Sequence, residues 1–187
     1  MKRATLLVGM NLVLASLAVA QPSKEDFGAP AVDAPPEVKR IDFLRGEWEV
    51  TMKTRDENGM VSELPNKPII RGRFLADGLT FQTEFLMGGG ADFFSTQVKA
   101  YHIKRERWIN TFTNARRQRW TTTESYWEND DFITVVEGGY SGDEDFIAKE
   151  VDTEIKSSSW HKKLYRSYDN GATWEEQPLF FEVRRLR

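Results

Sequence analysis

From Glu47 to the C-terminus the chain alternates apolar and polar residues with a period of two. Trp48, Val50 and Met52 fall on one side of the first run, with Glu47, Glu49, Thr51 and Lys53 on the other. That periodicity belongs to half-buried strands, in which successive side chains point to opposite faces. Further runs of the same kind are predicted over 69–75, 79–87, 95–103, 107–113, 119–127, 132–137, 146–155, 160–168 and 179–186. No helical stretch separates them, so parallel crossovers are excluded and the sheet is mainly antiparallel.

Turn chemistry punctuates the runs. Asp56-Glu57-Asn58-Gly59, Ala76-Asp77-Gly78, Asn129-Asp130-Asp131, Ser141-Gly142-Asp143 and Asp169-Asn170-Gly171 supply the residues that tight turns require. About ten strands in one open sheet would leave unpaired edges, whereas closure removes them. The short connections favour an antiparallel up-and-down barrel over a Greek-key sandwich. Barrels of eight to ten strands either fill with side chains or enclose one small ligand.

The first forty residues are of another kind. Lys2 and Arg3 precede an apolar stretch over 6–19, and Ala18-Val19-Ala20 is a small-x-small cleavage site. This is the pattern of a signal peptide over 1–20, with an exported mature chain, periplasmic or extracellular, that begins at Gln21. The stretch is short for a membrane span, and no later segment of the mature chain resembles one. Residues 21–36 hold four of the seven prolines, at 22, 30, 35 and 36. Proline fixes φ and removes a donor, so these residues are expected to form a flexible leader. Val38, Ile41 and Leu44 have the spacing of a short helical turn, and the single barrel domain is expected over 37–187.

Composition removes several chemistries. There is no cysteine, which excludes disulfides, thiolate metal sites, iron–sulfur clusters and cysteine nucleophiles. The two histidines cannot build a three-His metal site. A net charge of −3 argues against nucleic acid as a partner, although Lys99, Lys104, Arg105, Arg107, Arg116, Arg117 and Arg119 form one basic stretch among aromatics. Gly139-Tyr140-Ser141-Gly142-Asp143 approaches a nucleophile elbow but lacks its last glycine and a following helix, and Asp143-Glu144-Asp145 lacks the alternate spacing of a calcium loop. Ser167-Tyr168-Asp169-Asn170-Gly171-Ala172-Thr173-Trp174 is similar to the Asp-box hairpin of sialidase-like propellers. It occurs once, with no blade repeats, and is expected to be a rigid turn.

Leu44-Arg45-Gly46-Glu47-Trp48 places Gly-x-Trp at the opening of the first strand, after a short helical turn. It resembles the start of lipocalins and their calycin relatives. With Gly72-Arg73-Phe74-Leu75, Tyr101, Trp108, the Asp-box turn and the closing Val183-Arg184-Arg185, the order of motifs resembles a family of exported bacterial domains of unknown function with a lipocalin-like barrel. Phe112-Thr113-Asn114 departs from that pattern, in which an acidic residue is common. The resemblance implies that Trp48 closes the base of the barrel and that an arginine near the last strand packs on it. Leu179, Phe181, Val183 and Arg185 share one face, which makes Arg185 the candidate.

The candidate site is the barrel interior. If Val98 and Ala100 face inward, so does His102. Trp108 and Phe112 would bring Asn110 inward, and Trp120 and Tyr126 would bring Glu124. With Phe81 and Phe85 these form an inner wall that is aromatic with a few polar groups, the composition of a small-molecule site. The expected function is to bind a small apolar or amphipathic molecule without catalysis and without cofactor or metal. Two alternatives use the same barrel: an enzyme with His102 and Glu124 as acid and base, and a haem carrier with His161 as the other candidate ligand. A third is a protein-interaction module presenting Phe93 and Phe94 on the glycine-rich 88–94 loop.

Overall fold

The computed structural model describes residues 27–138 and 145–186. The expected signal peptide, the start of the leader and the 139–144 part of the loop motifs lie outside the described residues. One short helix, α1 (Pro36–Arg40), leads into a 3-10 turn (Ile41–Leu44). Eleven strands follow: β1 (Gly46–Arg55), β2 (Val61–Glu63), β3 (Ile69–Phe74), β4 (Thr80–Met87), β5 (Asp92–His102) and β6 (Arg107–Asn114). Then come β7 (Arg119–Glu128), β8 (Asp131–Val136), β9 (Ile147–Thr153), β10 (Ser159–Ser167) and β11 (Glu175–Arg185).

From β3 to β11 each strand pairs antiparallel with the next, and β11 pairs back onto β1 from Trp48↔Arg185 to Thr54↔Leu179. The sheet is therefore a closed up-and-down barrel of ten strands, and β2 is an added strand on the far end of β1. β2 is three exposed residues long and was not anticipated. Closure satisfies the backbone groups that an edge would leave unpaired.

The base is plugged by the segment before β1. Trp48 is fully buried and its Nε1 donates to the Leu44 carbonyl at 3.0 Å. The Arg185 guanidinium lies 3.9 Å from the Trp48 ring centroid, and its Nη1 donates to the Arg45 carbonyl at 2.8 Å. Trp160 meets Trp48 edge-on at 4.4 Å, and Phe43 meets Trp160 at 5.5 Å. Val38, Ile41 and Leu44 are buried in the same cluster as these rings, as the helical spacing requires. At Gly72 a Cβ would lie 2.1 Å from the Leu44 carbonyl oxygen, so the 3-10 turn rests directly on β3.

The leader differs from expectation. From Gly28 onward it is docked on the barrel and not free of it. Ala31 N donates to the Gly78 carbonyl at 2.9 Å, Arg45 Nη1 donates to the Gly28 carbonyl at 2.9 Å, and Ala34 is buried. Prolines restrict the chain without preventing it from lying along a surface. The Asp-box turn is self-bonded as expected: Ser167 Oγ donates to Asp169 Oδ1, and Thr173 Oγ1 and N donate to the same carboxylate. Among the described residues no helix is long and apolar enough to cross a membrane.

Candidate functional site

Directly opposite residues on neighbouring strands share a face, so one inward residue assigns its partners. Phe81 on β4 is fully buried, and it stands opposite Lys99, which stands opposite Asn110, which stands opposite Thr123. The next layer is Thr83, Gln97, Phe112 and Thr121. Inward on β5 are therefore Gln97 and Lys99, and inward on β7 are Thr121, Thr123 and Ser125.

This confirms the inward placement of Phe81, Phe85, Trp108, Asn110 and Phe112 and corrects the rest. His102 is exposed, and Val98 and Ala100 share its outer face. Trp120 is 63% exposed, and Tyr126 lies outside beneath the Arg107 guanidinium at 3.8 Å. Glu124 is also outside, held by Arg105 in an ion pair. On β5 and β7 the observed facing is the reverse of that expected from the small apolar and aromatic residues. On these two strands Val98, Ala100, Trp120 and Tyr126 lie on the outer face, while Gln97, Lys99, Thr123 and Ser125 face inward. His102 and Glu124 therefore offer no acid–base pair to the interior. His161 faces out as well, 3.5 Å from Glu154, and neither histidine touches the cavity.

A cavity of about 360 Å³ occupies the barrel above the aromatic plug. Phe85, Phe94, Phe112, Leu164, Leu179 and Phe181 supply much of its wall. Phe94 was expected on a mobile tip. It instead folds back over the cavity, with its ring 6.0 Å from Phe85. Phe93 remains exposed on the outer face. The Ala115–Arg117 turn, capped by Asn114 Oδ1 on the Arg117 amide, brings Arg117 to the same end, and Arg119 follows on β7.

A polar belt runs around the interior through six neighbouring strands. Asn110 Nδ2 donates to Thr123 Oγ1 at 3.0 Å and to Ser125 Oγ at 2.7 Å, and Ser125 exchanges a hydrogen bond with Thr134 at 2.7 Å. On β9 and β10 the belt becomes charged. Lys162 Nζ lies 2.6 Å from Glu150 Oε2 and 3.1 Å from Asp152 Oδ1, and Trp160 Nε1 donates to Asp152 Oδ1 at 2.9 Å. Burial opposes the Lys162 charge, but the attraction of Asp152 and Glu150 outweighs it and holds the ammonium above its ordinary range. Burial pushes the Asp152 carboxyl up, with Glu150 adding to the shift. Lys99 is 3% exposed, and its ammonium donates to Gln97 Oε1. Burial first, and the Lys162 charge second, lower its pKa to about 8.

Sequence reasoning missed Gln97, Lys99, Glu150, Asp152 and Lys162. The signal was present on β10, where Trp160, Lys162 and Leu164 have one parity and Trp160 is a natural inward anchor. Among the described residues no group of three His, Asp or Glu side chains converges in the manner of a metal site.

No family model matches the chain, and no curated protein matches it. Among solved structures, Rv2717c from M. tuberculosis matches with a TM-score of 0.49 at 9% identity, covering 83% of this chain and 100% of that one. The S-type phycobiliprotein lyase CPES from Guillardia theta matches with 0.49 at 11% identity, over 82% and 99%. EF1p2_mFAP2b bound to DFHBI matches with 0.35 at 12% identity, over 80% and 99%. At these identities and scores they say nothing about a ligand for this chain, whose fold is read from its own strand pairing.

Proposed function

We propose that this protein binds a small, largely apolar molecule inside its barrel and does so without catalysis. The observation that carries the reading is the cavity of about 360 Å³, which lies in the size range of small-molecule sites and has an aromatic and aliphatic wall. A barrel whose interior served stability alone would be filled to close-packed density. The carboxylates that face the cavity are engaged with Lys162 and Trp160, which suits them to hold structure in place and not to move protons. The N-terminal signal pattern adds the proposal that the ligand is met after export.

The uncharged fluorescent probe phenylnaphthylamine tests the reading. Saturable binding at one site per chain is expected, with loss of that binding in Thr83→Trp, which projects an indole from the cavity wall. Absence of saturable binding, or binding that Thr83→Trp leaves unchanged, would overturn it. The export proposal is tested by the intact mass of protein recovered from a bacterial periplasm, which is expected to begin at Gln21.

A further inference from the structure

We propose that the ligand is an apolar acid, a molecule with one anionic group that takes Lys99 as its counter-ion and lays its apolar body against Phe85, Phe112 and Phe181. This rests on the binding reading above and adds the charge of the ligand.

The argument is one of unspent donors. A buried ammonium is normally paired, because leaving it without a partner in a low-dielectric interior is costly. Lys99 is buried in the cavity wall, and Gln97 Oε1 accepts one of its three N–H bonds. The carboxylates that could neutralise it, Glu150 and Asp152, stand across the barrel on β9 and hold Lys162 between them. Arg119 repeats the pattern: its Nη2 is buried with no hydrogen-bond partner among the described residues. Arg117 faces the Phe94 ring at 5.2 Å and Arg119 the Phe112 ring at 5.9 Å.

The wall therefore presents four cations, Lys99, Lys162, Arg117 and Arg119, against the inward carboxylates of Glu150 and Asp152. Glu84 touches the wall from β4, whose inward positions are Phe81, Thr83 and Phe85. A neutral apolar ligand would displace water from Lys99 and Arg119 and leave their donors unmet. An anion would meet them, and the aromatic surface around it would hold the remainder of the molecule. A free inorganic anion would leave that surface unused.

The pH dependence follows in sign. With its amine lowered to about 8, Lys99 carries its charge below that pH and loses it above. The groups that face it are Lys162 on β10, Glu150 and Asp152 on β9, Gln97 beside it, Asn110 opposite on β6, and the arginines of the cavity wall. Raising the pH can only remove protons, and the competing acid there is Asp152, whose carboxyl burial pushes up, so a fall in anion affinity is assigned to Lys99 by its disappearance in Lys99→Met.

Two dyes of nearly the same shape provide the test: anilinonaphthalene sulfonate, which is anionic, and phenylnaphthylamine, which is not. The expected result is that the sulfonate binds about tenfold to a hundredfold more tightly, the scale of one charge-assisted contact. Its affinity should fall as pH rises above about 8, while that of the neutral dye does not fall. In Lys99→Met the sulfonate should lose that advantage, while phenylnaphthylamine, which no longer leaves a buried ammonium unmet, should bind at least as tightly as to the parent protein. Retained affinity for the neutral dye shows that the variant is folded, and the pH titration of the unaltered protein needs no variant. Equal affinities for the two dyes, insensitive to pH and to Lys99→Met, would overturn the anionic ligand and leave the binding reading standing. Failure of both dyes to bind would overturn the two together.

Discussion

Asp152 accepts from the Trp160 indole and from the Lys162 ammonium while being almost wholly withdrawn from water. Removing one member of such a cluster costs more than the contacts themselves, because the remaining charge and donor stay buried and unmet. Asp152→Ala is expected to lower stability by about 3 kcal/mol or more, measured by chemical denaturation, without loss of the far-UV signature of the barrel. A change below about 1 kcal/mol would mean that Lys162 and Glu150 alone hold the cluster. At this scale the sequence was legible for the contact of Trp48 with Arg185, through the resemblance to lipocalins, with strand parity selecting Arg185. It was not legible for Lys99. A lysine between Val98 and Ala100 looks like the solvent side of a strand, and only Phe81 on one neighbour and Asn110 on the other reveal the opposite.

Elements constrain one another most tightly where the plug meets the sheet. The 3-10 turn lies so close to β3 that Gly72 has no room for a side chain, although its φ is ordinary. The requirement at this position is therefore space and not backbone freedom. Gly72→Ala must push the Leu44 carbonyl off β3, and the expected cost is about 1–3 kcal/mol. The same denaturation experiment measures it, and a neutral effect would show that the plug can slide. The ten barrel strands were legible, since alternation and turn residues recur along the chain, but the three-residue β2 was not. Strand facing was legible on β6, where Trp108 and Asn110 set the parity, and failed on β5 and β7. The register shift between Phe85 and Leu86 shows how one irregularity breaks the transfer of parity from strand to strand.

For the whole molecule, the barrel extends its grip to chain that precedes it. Residues 28–36 bond to the Gly78 carbonyl and to Arg45, and Ala34 is buried. A chain that starts at Glu37 is expected to fold with the same strands but to melt several degrees lower, since even about 1 kcal/mol shifts the midpoint by a few degrees in a domain of this size. An unchanged melting temperature would show that the docked segment contributes nothing to stability.

Period-two alternation, frequent turn signals and the absence of crossover helices were enough to determine an antiparallel sheet and to favour a barrel over a sandwich. These are local properties, and a chain that carries them buries one face of its strands; that the sheet closes is seen in the pairing of β11 with β1. The tertiary structure decided which face that was. Alternation defines two faces without naming the inner one, and in a closed barrel the inner face can accept lysine, aspartate and glutamate because neighbouring strands bring their partners within hydrogen-bond reach. The cavity, its aromatic wall and its surplus of positive charge arise from those cross-strand pairings and from no single segment of the chain.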